Sequence, residues 1–288
     1  MSTPYPVANN LLNKRSFWRA NKWLILRRSS QIFLLALFLT GPWFGLWITK
    51  GNLNYSLTLD VLPLADPYIF LQSLVAGHTP ELELFLAATI VLVFYLLVGG
   101  RTYCAWVCPV NLVTDAASVV RKRFGLLSGT QFSRRSRYYI LAATFVVAAA
   151  TQTIVWDLVN PVTILHRGII FGMGLGWIVI LGIFVLDLFI SRDGWCGRLC
   201  PVGAFYSLLN FFSPLRVAAS KPQNCDDCAD CYAICPEPKI IHPVLKDKTH
   251  AQAIESALCT KCGRCIDVCP QDVFQLSLLS RNGGEATP

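Results

Sequence analysis

Eight of the chain's 12 cysteines repeat one spacing. Cys225, Cys228, Cys231 and Cys235 run as C-x2-C-x2-C-x3-C before Pro236, and Cys259, Cys262, Cys265 and Cys269 do the same before Pro270. Three thiolates this close can wrap three corners of a [4Fe–4S] cubane while the fourth reaches a second one. The spacing therefore assigns Cys225, Cys228, Cys231 and Cys269 to one [4Fe–4S] cluster, and Cys259, Cys262, Cys265 and Cys235 to the other. Zinc also takes C-x2-C pairs, but zinc ribbons set two pairs well apart instead of four cysteines in a row ending in proline. Two clusters that exchange a ligand must lie close together, which makes a two-station path for electrons.

The remaining cysteines form two further pairs, Cys104 and Cys108 in "CAWVCP" and Cys196 and Cys200 in "CGRLCP". Each pair follows an apolar run and precedes a short apolar segment. The chain thus repeats one plan: span, loop, span, Cys-x3-Cys-Pro, interfacial helix. Pro109 and Pro201 stand where a first helical position tolerates proline. Beyond Pro109, the spacing of Leu112, Ala116, Val120 and Phe124 predicts a membrane-surface face, with Arg121, Lys122 and Arg123 toward headgroups. Two readings of the pairs stay open. They are redox-active or metal-binding thiolates, up to a further metal or cluster held by all four, or they are small buried thiols packed between helices.

Composition indicates what must position these groups. The chain has 288 residues, of which 54% are hydrophobic and 15% charged, against about 25% charged in a soluble domain. Apolar runs near residues 29–49, 82–100, 138–156 and 168–190 each approach the ~20 residues that a helix needs to cross a bilayer. Basic residues gather before the first run (Lys14, Arg15, Arg19, Lys22, Arg27, Arg28) and between the second and third (Arg101, Arg121, Lys122, Arg123, Arg134, Arg135, Arg137). That asymmetry predicts a multi-pass membrane protein with both termini and the cluster domain in the cytoplasm. It also accounts for the net charge of +8 without nucleic acid. The expected fold class is a membrane α-helical protein, with four transmembrane helices in two duplicated two-span units and a C-terminal α+β double [4Fe–4S] domain. Its parts are a basic N-terminus (1–28), the membrane domain (29–190), the second Cys-x3-Cys-Pro motif and its interfacial helix (191–214), the cluster domain (215–280) and a tail (281–288).

Taken together, the four runs, the two Cys-x3-Cys-Pro motifs and the double ferredoxin tail, from "KWLILRRSSQ" to "CGRCIDVCPQDVF", resemble the NapH family. These are membrane-embedded ferredoxin-type subunits of periplasmic nitrate reductase systems, within a wider group that includes NosR and CcoG. The chain has no length for the flavin domain of NosR-like proteins, and it ends before a CcoG-like β-domain. The resemblance implies a quinol dehydrogenase component. It would work in membrane lipid with a NapG-like periplasmic iron–sulfur protein and pass electrons from quinol toward a NapC-like cytochrome. Assembly or regulation of a respiratory metalloenzyme, as in CcoG- or NosR-like proteins, is the competing expectation.

Quinol oxidation needs a proton acceptor beside an apolar cleft. At the membrane edges the ionisable candidates are Asp66, His78, Asp157 and His166, set against ordinary loop polarity. His166 lies nearest a span and has an unperturbed pKa close to neutrality. Asp187, inside the fourth run, could pair with Arg192, reach interfacial water or take a quinol proton. Trp18, Trp23, Trp47, Trp156 and Trp195 are expected as interface anchors. No haem-binding C-x-x-C-H occurs in the sequence.

Overall fold

The computed structural model describes residues 17–125, 130, 132–172, 174–246, 250–279 and 286–287. Lys14, Arg15 and most of the expected tail lie outside the described residues. The chain divides into two compact units. One comprises Ser30–Phe94 and Val107–Phe205; the other gathers the N-terminal stretch through Ser29, Tyr95–Trp106 and the chain from Tyr206 onward.

Helices α1 (Phe17–Phe44), α2 (Pro67–Val75), α3 (Leu82–Val98), α4 (Val110–Arg123), α5 (Ser136–Thr151), α6 (Val155–Val159), α7 (Pro161–Phe171), α8 (Gly176–Val185) and α9 (Pro201–Phe212) dominate the chain through Phe212. Strands β1 (Thr49–Gly51), β2 (Tyr55–Thr58) and β3 (Leu62–Ala65) form a small antiparallel sheet. Two helix starts follow the same local chemistry. Asp66 and Asn160 each precede a proline and cap the helix with a side-chain oxygen, accepting from Tyr68 N at 2.9 Å and from Val162 N at 3.0 Å.

Among the described residues one helix, Phe17–Phe44, is long and apolar enough to cross a membrane. The other expected spans appear as shorter apolar helices, Leu82–Val98, Ser136–Thr151 and Gly176–Ile190. The run expected over 168–190 is not one helix. It is broken between α7 and α8, where Gly172 and Gly174 take φ of +88° and +45°. Left-handed glycines end a helix without changing hydropathy, so an apolar run cannot reveal the break.

Three further expectations are corrected. Arg121 does not face headgroups: it is buried and donates to the backbone oxygens of Asp187 at 3.2 Å and Leu188 at 2.7 Å, tying α4 to the π-helical turn Leu186–Ile190. The buried stripe of α4 is accordingly Val110, Thr114, Ala117 and Arg121. Trp156 is no interface anchor, since it is 4% exposed and packs against Tyr68; Trp18 and Trp47 are exposed as expected. Asp187 does not pair with Arg192, whose carboxylate partner is Asp193 at 3.5 Å.

In the second unit, β4 (Leu215–Ala219) pairs antiparallel with β6 (Phe274–Leu279), from Leu215 opposite Leu278 to Ala219 opposite Phe274. β5 (Gln252–Ala253) and β7 (Ala286–Thr287) complete a sheet of order β5-β4-β6-β7. Short helices α10 (Asp230–Ile234), α11 (His242–Lys246) and α12 (Arg264–Val268) lie between the strands in sequence. Val217, Ile241, Val244, Val273 and Phe274 form the core, together with Cys231, Cys259 and Cys269. The cysteines are thus part of the packing and not appended to it.

Candidate iron–sulfur site

The two cysteine motifs follow the same backbone path. Asp227 and Ala229 flank Cys228 with φ of +55° and +62°, and Lys261 and Gly263 flank Cys262 with +50° and +73°. Left-handed residues on both sides of the middle cysteine turn the chain around a hollow. Each fourth cysteine then caps its short helix in an extended conformation.

Two cysteine-lined cavities result. One of about 210 Å³ is lined by Cys225, Cys228, Cys231 and Cys269. The other, of about 20 Å³, is lined by Cys235, Cys259, Cys262 and Cys265. Each cavity therefore meets three cysteines of one motif and the last cysteine of the other. Among the described residues, no group of three or more His, Cys, Asp or Glu side chains is placed to hold a single metal ion. Burial, reinforced by the neighbouring thiols, pushes the Cys231 thiol up to about 12 and Cys265 well above its ordinary value. Buried thiols of this kind become thiolates when a metal displaces the proton, so the donor set fits metal–sulfur ligation.

The second motif is held from several directions within its unit. Asp267 accepts from Trp23 N at 3.0 Å and Leu24 N at 3.1 Å, and Arg264 pairs with it at 3.0 Å. Arg101 donates to Leu258 O, Trp106 to Lys261 O, and Asn210 to Ala257 O and Cys259 O. Lys261, 5% exposed, donates to Val98 O, Asn210 and Ser213. Burial pulls its ammonium down to about 8, while the charge of Cys259 opposes the fall. A β-carbon on Gly263 would lie 2.4 Å from the Trp23 ring. The spacing argument named none of Lys261, Gly263, Asp267 or Asn210. Aligning the two motifs exposes the first two, because Asp227 and Ala229 occupy the matching positions.

The Cys-x3-Cys-Pro pairs also share a design. In each, the first cysteine lies within a π-helical turn, Tyr103–Val107 or Trp195–Leu199, the second follows it directly, and the proline leads into a helix. All four cysteines are half-buried. Cys108 packs beside Val110, Val162 and Ile183, Cys196 lies 3.9 Å from Thr114 Oγ1, and Cys200 accepts from Gly203 N at 3.4 Å. Asp187 sits at the foot of the second pair. One carboxylate oxygen accepts from Trp195 N at 2.9 Å, and the other is buried without a hydrogen-bond partner.

His166 lies inside α7, 3% exposed, edge-on to Phe38 at 5.4 Å, with neither ring nitrogen hydrogen-bonded. The other edge candidates separate. Asp66 is a helix cap, His78 is exposed, and Asp157 bonds Asn54 and Thr163 in a network that also includes Asn160.

Comparison with known proteins gives this arrangement its family. A "4Fe-4S binding domain" model matches residues 82–126 and again 170–217, so each match contains one Cys-x3-Cys-Pro pair. A second model of the same description matches 253–275. The chain is 43% identical to the ferredoxin-type protein NapH of Escherichia coli over 96% of both chains. It is 47% identical to the methylamine utilization ferredoxin-type protein MauN of Methylorubrum extorquens over 92% of both. The chain belongs to the NapH and MauN ferredoxin-type family. MauN of Paracoccus denitrificans is 50% identical over 81% of this chain and 82% of its own. No solved structure matches. Members of the NapH and MauN family are ferredoxin-like iron–sulfur proteins suited to electron transfer, which agrees with the expectation drawn from the cysteines.

Proposed function

We propose that the chain is the membrane iron–sulfur subunit of a quinol dehydrogenase in the bacterial inner membrane. In this reading it passes electrons from quinol, with a NapG-like periplasmic partner, toward a NapC-like cytochrome and a periplasmic nitrate reductase. The observation that carries the relay is the pair of cavities, each lined by three cysteines of one motif and one of the other. Cys225, Cys228, Cys231 and Cys269 would hold one [4Fe–4S] cluster, and Cys259, Cys262, Cys265 and Cys235 the second. Bound there, the clusters supply one-electron transfer. The four-span topology with cytoplasmic termini rests on the charge asymmetry of the loops; apolar helices shorter than a bilayer needs would have to be extended by the segments beside them.

His166 and Asp187 are the residues proposed to handle quinol protons. An imidazole with two unpartnered nitrogens beside an aromatic ring offers an acceptor to a quinol hydroxyl. Asp187 offers a buried carboxylate oxygen without a partner, its other oxygen bonded to Trp195 N just before Cys196 in the chain. The two Cys-x3-Cys-Pro pairs are proposed as redox or metal sites, supported by the 4Fe-4S domain matches over them.

A second reading draws on the MauN relatives at 47% and 50% identity. In it the chain serves assembly or regulation of a respiratory metalloenzyme, or a role in methylamine utilization, and its electrons come from a low-potential donor. One experiment separates the two. The protein is purified anaerobically in lipid and given a quinol analogue while its EPR spectrum is recorded. Cluster signals that appear with quinol and weaken in His166→Ala support quinol oxidation. Reduction by dithionite alone, with or without the periplasmic partner, sinks it in favour of the second reading.

A further inference from the structure

The two cysteine motifs differ in charge. Between Cys225 and Cys235 stand Asp226, Asp227 and Asp230 and no basic residue; between Cys259 and Cys269 stand Lys261, Arg264 and Asp267. Arg264 and Asp267 neutralise each other. Lys261 differs, for all three of its acceptors are neutral: Val98 O at 3.1 Å, Asn210 Oδ1 at 2.9 Å and Ser213 Oγ at 2.9 Å. A buried ammonium with only neutral acceptors calls for negative charge nearby. Lys261 lines the cavity of Cys235, Cys259, Cys262 and Cys265, whose sulfurs would supply that charge once they ligate as thiolates.

We propose that Lys261 is a positioning residue that sets the order of the two stations, making the cluster at Cys235, Cys259, Cys262 and Cys265 the easier of the two to reduce. The inference rests on the two-cluster reading above. Reduction adds a negative charge, which a buried cation favours and the exposed Asp226 and Asp227 beside the first motif oppose. An electron shared by the pair therefore rests at the second site. Moving it there oxidises the first cluster by one electron and reduces the second by one, and no bond or proton changes. Trp106 also donates to Lys261 O, so the favoured station is tied to the stretch that carries Cys104. The first motif, with its exposed Cys228, faces solvent.

The test is an EPR-monitored redox titration of the full chain in lipid, with iron and sulfide measured on each preparation. Two unequal midpoints are expected. Lys261→Gln should lower the upper one by about tenfold in equilibrium constant, about 59 mV for a one-electron couple, and leave the lower in place. Lys261→Arg, which keeps the charge, should restore most of the gap. Asp226→Asn with Asp227→Asn should raise the lower midpoint by less, since exposed charges are screened. Unmoved midpoints in Lys261→Gln, or a rise of the upper midpoint in the double aspartate variant, overturn the proposal. If Lys261→Gln loses its second cluster, the double aspartate variant decides alone, because it leaves the Lys261 contacts intact. Iron for a single cluster overturns the two-cluster reading as well, whereas two clusters in the reverse order overturn only this one.

Discussion

The two copies of the cysteine motif share spacing and backbone path, and each lines a cavity that the other's last cysteine completes, yet their surroundings are unlike. The first presents an exposed Cys228 between Asp226, Asp227 and Asp230. The second is packed against Trp23, held at Asp267 by the backbone of the N-terminal helix, and backed by a buried Lys261. Ligation needs only the cysteines and the left-handed turns, so it survives large changes at the positions between them. At those intervening positions one copy faces solvent and the other is packed into a structural junction.

The largest expected contrast comes from removing one ligand in each copy. Cys265→Ser should remove about half of the iron and lower the unfolding temperature steeply, because metal binding is coupled to folding at a buried site. Cys228→Ser should remove a similar amount of iron with a smaller thermal loss. Iron analysis and thermal unfolding in lipid check both, and equal thermal losses would erase the contrast. Next is Gly263→Ala. A methyl in that left-handed position meets the Trp23 ring at 2.4 Å, so strain and overpacking together should cost about 2–4 kcal/mol. The matching change, Ala229→Gly, should stay within about 1 kcal/mol. Denaturant titrations of the two variants make the comparison directly.

A smaller effect concerns pH. Burial raises the Cys231 thiol to about 12 and Cys265 well above its ordinary value. In the iron-free chain the folded state therefore keeps protons that the unfolded state releases first as pH rises past about 9. Stability of iron-free protein should fall from about pH 9 toward pH 12, and cluster-loaded protein, whose thiolates are already deprotonated, should lack that slope. Unfolding midpoints of both forms across this range provide the check.

The sequence was most informative where chemistry demands fixed spacing. The eight cysteines could be sorted into two sets before any fold was known, because cubane ligation dictates which cysteines can be neighbours. Apolar runs identified where helices form but not where they stop, since Gly172 and Gly174 break a run without making it polar. The basic loops suggested headgroup contacts for Arg121, which instead satisfies two backbone carbonyls in the interior. Asp267 was invisible for another reason: its partners, Trp23 and Leu24, are more than two hundred positions away in sequence. Lys261 and Gly263 were within reach through comparison of the two copies position by position.

The exchange of fourth ligands is tested most directly by Cys235→Ser, a change in the first motif. EPR and iron analysis of the reduced protein should show loss of the cluster at Cys259, Cys262 and Cys265, identified by the signal that Cys265→Ser also removes. Loss of the signal that Cys228→Ser removes would instead mean that each motif closes on its own cluster, and the cross-ligated pair would be wrong.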